Sequence, residues 1–199
     1  MAGDEDLRQR WNRRHAAATG RPEPMWGLRR FAHLLPPGGR ALDLACGLGA
    51  NALFLARRGF QVTAWDWSDT AIGRLRQAAR DAGLDLRAEV RDVVASPPPP
   101  AAFDLVLVAH FLDRGLCPAL AAALRPGGLL WYQTFVREAV NGERGPSDPR
   151  WRLGTNELLH LFPGLIRRVY LEEGRLGDPA QGLRDEALLI GQRPRAEGT

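Results

Sequence analysis

The residues best placed to do chemistry begin at Asp43-Leu44-Ala45-Cys46-Gly47-Leu48-Gly49-Ala50-Asn51. Two glycines one residue apart let a ligand approach the backbone closely, and a helix start just beyond them offers free N–H groups. Residues 47–52 also fit the dinucleotide pattern G-x-G-x-x-A, a weak signal alone. Asp43 changes that reading. A carboxylate ahead of the glycines does not suit a pyrophosphate. It suits a cationic, amine-bearing ligand, held directly or by fixing the glycine turn. Asp66 follows at the distance, about 20 residues, where such sites grip a ribose diol. Asp92 is placed to accept from an exocyclic adenine amine, or to serve as a turn residue before Val93. Acid, glycine turn, acid, acid describes a site for an adenosine bearing an amino acid and no phosphates.

Other residues have two readings. Trp65 reads as core and Trp67 as a flat wall for a base. His110 closes a strand at the end where substrate chemistry is done, yet it also reads as a hydrogen-bonded core histidine. Cys46 reads as a small buried apolar residue and His160 as surface. Trp11 and Trp26 either line a lid or pack the N-terminal segment. Arg137, Arg144, Arg150 and Arg152 crowd one irregular stretch. A solvated face is the default there, and an anionic substrate the alternative.

These residues need elements to hold them. RALDLAC (40–46) reads as a short buried strand and NALFLARR (51–58) as a helix stopped by Gly59. FQVTAW (60–65) is strand-like, and Ser68 caps a helix whose apolar face is Ala71, Ile72, Leu75, Ala78, Ala79 and Ala82, stopped by Gly83. Residues 86–90 read as a third strand, the proline run 97–100 as a stiff loop, and FDLVLVA (103–109) as a doubly covered fourth strand. A helix over 118–124, an RPGG turn, a strand over 129–135, a helix capped by Thr155, and strands over 165–172 and 186–192 follow. Strands alternating with helices predict a doubly wound α/β sheet.

Composition narrows the chemistry. The chain has 199 residues and a net charge of +4, and all 27 of its Lys+Arg residues are Arg. Without Lys there is no P-loop and no Schiff-base lysine. Two cysteines outside any metal-like spacing predict a reducing, cytoplasmic setting and no metal site. No secretory signal, membrane span or repeat is expected. The arginines are scattered and not gathered in a stripe, which argues against nucleic acid. A frayed tail is expected over 193–199.

The chain resembles class I S-adenosylmethionine-dependent methyltransferases of the small tellurite-resistance-like type. DLACGLGANALFLA is similar to that family's D-L-G-C-G-x-G-x-N-x-x-x-L-A, TAWDWS to its second acidic motif, and LRPGGLLWYQTF to its fifth-strand signature. WNRRH and PRWRLGTNELLHLFPGL resemble its N-terminal segment and its lid. Ala45 stands where the family has Gly, and His15 where Tyr is usual. The resemblance implies a single domain with a Rossmann-like, mostly parallel seven-stranded sheet whose last strand is antiparallel. Its parts would be a cap (1–39), a cofactor core (40–135), a lid insertion (136–164) and final strands (165–193). It implies S-adenosylmethionine as cofactor. Asp43, Ala45, Gly47, Gly49 and Asn51 would lie at the methionine end, Asp66 on the ribose, and Trp67, Asp92 and Val93 at the adenine. His110 would sit near the sulfonium, and Trp11, Arg14, His15, Trp26 and Arg150 on the acceptor side.

The expected reaction is methyl transfer to a small-molecule acceptor, such as a thiol or a chalcogen oxyanion. Soft nucleophiles need no base. For oxygen or nitrogen, His110 and Tyr132 are the candidate bases. An NAD(P)-dependent oxidoreductase and a non-catalytic S-adenosylmethionine-binding module are the rival readings. The acceptor's identity and the oligomeric state are not legible in the sequence.

Overall fold

A computed structural model describes residues 2–20, 22–138, 140 and 144–195. They cluster into two units, Met1–Pro97 and Pro98–Thr199. The cut falls in the proline run, where no helix or central strand can continue. The tail expected to fray lies, for residues 196–199, outside the described residues.

The first unit contains helices α1 (Ala2–Ala17), α2 (Trp26–Arg30), α3 (Ala50–Ala56) and α4 (Asp69–Asp81), and strands β1 (Gly39–Leu44), β2 (Phe60–Asp66) and β3 (Arg87–Val90). The strands are parallel in the order β3-β2-β1. The pairs Asp43↔Ala64 and Asp66↔Val90 fix the levels at which the strands end. Ser68 caps α4 by accepting from the Ala71 N–H at 3.1 Å, and Ala71, Ile72, Leu75 and Ala79 form its buried face. Burial of a leucine or isoleucine there contributes about 1.5–3 kcal/mol. Gly83, at φ +62°, ends the helix in the left-handed conformation expected of it.

The second unit contains β4 (Phe103–Ala109), α5 (Cys117–Ala123), β5 (Leu124–Phe135), α6 (Glu157–Leu161), β6 (Ile166–Leu171) and β7 (Glu186–Gln192), with a 3₁₀ turn at Pro149–Trp151. The strand order is β4-β5-β7-β6, with β5 parallel to β4 and β7 antiparallel to both β5 and β6. The fold is Rossmann-like α/β, a seven-stranded and mostly parallel sheet with the last strand antiparallel.

Two local expectations are corrected. The RPGG segment does not precede β5 as a separate turn. It sits inside the strand as an irregularity: Phe103 pairs with Leu124 and Leu105 with Leu129. Gly127, at φ +81°, turns its N–H to the Arg193 carbonyl at 3.0 Å. Thr155 does not cap α6 either. Asn156, at φ +60°, holds the cap position, and Glu157 reaches back to the Gly154 N–H at 2.6 Å.

Candidate functional site

The first unit gathers the sequence-predicted cofactor residues other than His110 around the ends of β1, β2 and β3. The chain leaves β1 through Ala45 at φ +53°, Gly47 at φ +52° and Gly49 at φ +75°. A Cβ on Gly49 would lie 2.8 Å from Cγ of the buried Leu75, so the turn tolerates no side chain there. Ala45 explains its own departure from the motif. The position needs a left-handed backbone, which costs an alanine roughly 1–2 kcal/mol, and the added methyl is incidental.

Two carboxylates hold this turn through backbone N–H groups, and a third, Asp92, holds the turn after β3 in the same way. Asp43 is fully buried, and its Oδ2 accepts from Ala52 in the first turn of α3 at 3.0 Å. Its Oδ1 is buried without a hydrogen-bond partner among the described residues. Burial pushes this carboxyl up to about 7, opposed by the Ala52 N–H, assisted by the charge of Asp66 and lowered again by Asn51. Such a carboxylate calls for a cation. Asp66 accepts from Gly47 through Oδ2 and from Ser68 through Oδ1, both at 2.8 Å. Each of its oxygens keeps a second lone pair. Asp92 accepts from Val94 and Ala95 at 2.9 and 3.0 Å through Oδ1, the turn role weighed from sequence, beside the buried Val93. Trp67 is half-buried next to Asp66. Asn51 serves the scaffold, since its Oδ1 accepts from the Met25 N–H at 2.9 Å.

The N-terminal helix belongs to the same unit. Asn12 accepts from the Ser68 hydroxyl at 2.5 Å, and Arg74 donates to the carbonyls of His15 and Ala18. His15 Cε1 lies 3.3 Å from where a Gly47 Cβ would stand. Burial lowers the His15 pKa; the charge of Asp66 opposes this, and Arg14 and Arg74 add to it. Trp11 stacks on His15 with ring centroids 5.9 Å apart, and the Arg14 guanidinium covers the Trp11 ring. Trp26 packs edge-on against Phe31 inside its own segment.

In the second unit His110 follows directly on the end of β4, at φ +56°. Its N–H donates to the Gln133 carbonyl at 2.9 Å, and its ring stacks on Phe135 at 4.8 Å. The side chain is 44% exposed, and Nε2 lies 3.1 Å from Oε2 of Glu186, itself only 4% exposed. The Gln133 amide donates to the same oxygen at 2.5 Å, and Arg144 stands 3.8 Å from the other. Burial pushes the Glu186 carboxyl up. The hydrogen bond and charge of His110, with Gln133 and Arg144, outweigh this and hold it below the usual glutamate range.

Tyr132, the other candidate base, is fully buried and donates its hydroxyl to the Phe111 carbonyl at 3.0 Å. Burial drives its pKa far above the usual tyrosine value, which removes it as a base. Sequence reasoning missed Glu186 and Gln133. Their signal was a buried-strand pattern interrupted by a carboxylate in DEALLI and an amide in LLWYQTF.

Apart from Arg144, which reaches Glu186 of β7, the arginines of the insertion are engaged within it. Arg152 donates to the carbonyls of Pro146, Val136 and Arg144 at 2.7, 3.0 and 2.5 Å. Arg150 forks onto Asp148, with Nη2 2.7 Å from Oδ2, and Arg137 reaches the Pro149 carbonyl. Arg114 grips Glu157 and the carbonyls of Arg150 and Arg152. These contacts organise a loop, and they weaken the anionic-substrate reading of the cluster. Cys46 and Cys117 are both buried free thiols, donating to the Gly47 and Asp113 carbonyls. No helix among the described residues is long and apolar enough to cross a membrane.

A family model described as a methyltransferase domain matches residues 41–128. A ubiquinone biosynthesis O-methyltransferase of Methylocella silvestris is 32% identical over 188 residues, covering 85% of this chain and 72% of the relative. Relatives of the same name from Xanthomonas campestris are matched over 47%, about half, of their own length. Among solved structures, TehB from Haemophilus influenzae superposes with a TM-score of 0.69 at 20% identity, over 85% of this chain and 62% of that one. A structure described as the conversion of a disulfide bond into a thioacetal group during echinomycin biosynthesis superposes with a TM-score of 0.63 at 28% identity, over 87% and 83%.

Proposed function

This chain belongs to the class I S-adenosylmethionine-dependent methyltransferases, and from that premise we propose that it methylates a hydroxyl group of a small molecule, with His110 as the base. The reaction class is methyl transfer and the cofactor is S-adenosylmethionine. When bound, this cofactor supplies a methyl group on a sulfonium that departs as a neutral thioether.

The residues of the first unit fit that ligand. The unpartnered Asp43 oxygen would take the ammonium of the amino-acid end, beside the turn that Gly47 and Gly49 keep open. The spare lone pairs of Asp66 would accept from the ribose hydroxyls. Trp67 would cover the adenine, with Asp92 and Val93 at its edge. Ala45 contributes backbone only, and Asn51 acts by tying the segment at Met25 to α3.

The observation that carries the hydroxyl reading is the His110 imidazole, half-exposed at the carboxyl end of β4 and held against a buried carboxylate. Thiols and chalcogen oxyanions are nucleophilic enough to react without a base, whereas a hydroxyl needs its proton taken. The ubiquinone biosynthesis relatives, named as O-methyltransferases, support the same reading. A sulfur acceptor is the second reading, supported by the structure associated with thioacetal formation. Trp11, Arg14, His15 and Trp26 from the N-terminal segment are the residues we assign to acceptor selection, and Arg150, already forked onto Asp148, is left to the insertion itself. Two buried free thiols fit a reducing compartment, and we place the reaction in the cytoplasm.

The test uses the purified chain with methyl-labelled S-adenosylmethionine and three acceptors: catechol, 2-mercaptoethanol and selenite. Label on a catechol oxygen is expected, falling by roughly 10²–10⁴-fold in H110A. Label on sulfur or selenium alone would replace the hydroxyl reading with the second one.

A further inference from the structure

We propose that Glu186 is a positioning residue for His110: it fixes the tautomer of the imidazole and balances the positive charge the ring gains on taking a proton. The proposal rests on the reading of His110 as the base. The carboxylate accepts from Nε2, so the Nε2–H form is the one that Glu186 selects, and Nδ1 is left with the free lone pair. Stacking on Phe135 and the His110 N–H bond to the Gln133 carbonyl restrict ring and backbone together.

Glu186 is built to stay ionised and still. It is nearly fully buried, yet its oxygens are held by the His110 ring, the Gln133 amide and, at longer range, the Arg144 guanidinium. Among the described residues, the charged groups facing this arrangement are Glu186 from β7 and Arg144 from the insertion, with Arg152 over the Phe135 ring at 5.9 Å. An isolated buried carboxylate would be costly. This one sits opposite a ring that becomes cationic during each turnover.

The proton step balances simply. The acceptor's O–H bond breaks and an N–H bond forms at Nδ1. The oxygen keeps the electron pair with which it takes the methyl group. The imidazolium later returns its proton to water, and Glu186 keeps its own charge throughout.

The test needs no acceptor. Two-bond proton–nitrogen NMR of ¹⁵N-histidine-labelled full chain reads the tautomer of each imidazole, with H110Q identifying the His110 signals. The Nε2–H tautomer is expected. In E186M, close in length but unable to accept the hydrogen bond, the preference for Nε2–H should weaken and the Nε2 proton should exchange with water faster. An Nδ1–H tautomer in the unsubstituted chain, or a tautomer and exchange rate unchanged in E186M, would overturn the proposal. Turnover with catechol then separates the two claims. A roughly hundredfold loss of kcat in E186Q with cofactor affinity unchanged supports the positioning role. Full catechol turnover by H110Q, alongside the change of tautomer in E186M, would instead reject the base reading and leave the tautomer selection standing.

Discussion

The glycine turn of the first unit is held mainly by carboxylates and the insertion of the second mainly by guanidiniums, with Arg74 and Glu157 as the reverse case in each. In the first, carboxylates accept from backbone N–H groups close by: Asp43 from Ala52, Asp66 from Gly47 and Ser68, Asp92 from Val94 and Ala95. In the second, guanidiniums donate to backbone carbonyls, Arg152 to three of them and Arg114 to two besides Glu157. The difference assigns a job to the Arg-only composition. A planar guanidinium with five donors can hold several carbonyls of an irregular loop at once, whereas an ammonium is a compact point charge. The arginines of the insertion work as struts, and the acids of the first unit as clamps on a turn.

Breaking the clamp side should have the largest effect. Gly49→Ala forces an alanine to φ +75° with its Cβ inside the Leu75 side chain. Backbone strain and overpacking together should destabilise the fold by about 3 kcal/mol, read as a lower urea midpoint at constant slope. Cofactor affinity, measured by calorimetry, should be lost with it.

Asp43 sharpens the comparison through pH. Its carboxyl is raised from 3.8 to about 7 in the folded chain, so between these values the folded state holds a proton that the unfolded state has released. That contribution stabilises the cofactor-free fold at low pH and is lost as pH rises through about 7. An ammonium ligand needs the ionised form. Binding below pH 7 must therefore expel a proton, and affinity should weaken by up to about tenfold per pH unit, levelling off above. Calorimetry from pH 5.5 to 8.5 checks this. Asp43→Asn, which can still accept from Ala52, should abolish the dependence and bind at least roughly a hundredfold more weakly. A flat wild-type profile would place the ammonium elsewhere.

The strut side should break more gently. Arg152→Lys keeps the charge and loses the fork, leaving at least one loop carbonyl without its donor. A loss of about 1–2 kcal/mol is expected. Acceptor turnover should fall while cofactor affinity stays unchanged, since Arg152 lies in the second unit. Equal losses in both would refute a role confined to the insertion.

The same contrast explains what the sequence let through. Asp43, Gly47, Gly49 and Asp66 were legible because a sharp turn between strand and helix leaves few residue types that satisfy it, all within a short window. The strands were legible from apolar runs such as FDLVLVA. Glu186 and Gln133 were not, because their partner His110 lies just past the end of β4 and only the pairing of β5 with β7 brings the carboxylate and the amide together. Arg150 carries its lesson in the other direction: the crowded arginines read as a solvated face with an anionic substrate as the alternative, and Asp148 two residues earlier already engages this one.

The smallest effect gives the finest comparison. Ala45 and His110 each follow a parallel strand directly, and both hold a left-handed backbone, at φ +53° and +56°. Each therefore carries strain of about 1–2 kcal/mol that glycine would relieve. His110 cannot be relieved in this way, because its ring is the functional group and Glu186 is arranged around it. Ala45 has no such claim, since its methyl serves no bond in the glycine turn. Ala45→Gly should therefore stabilise the chain, by about 0.5 kcal/mol after the extra backbone entropy that glycine loses on folding. Cofactor affinity should stay the same or tighten slightly. His110→Gly should relieve the same backbone strain and still lose turnover with catechol. Paired urea titrations and activity assays on the two variants separate strain kept for a side chain from strain that the sequence merely tolerates. A destabilised Ala45→Gly variant would show that the methyl has a packing role and that the two positions are alike after all.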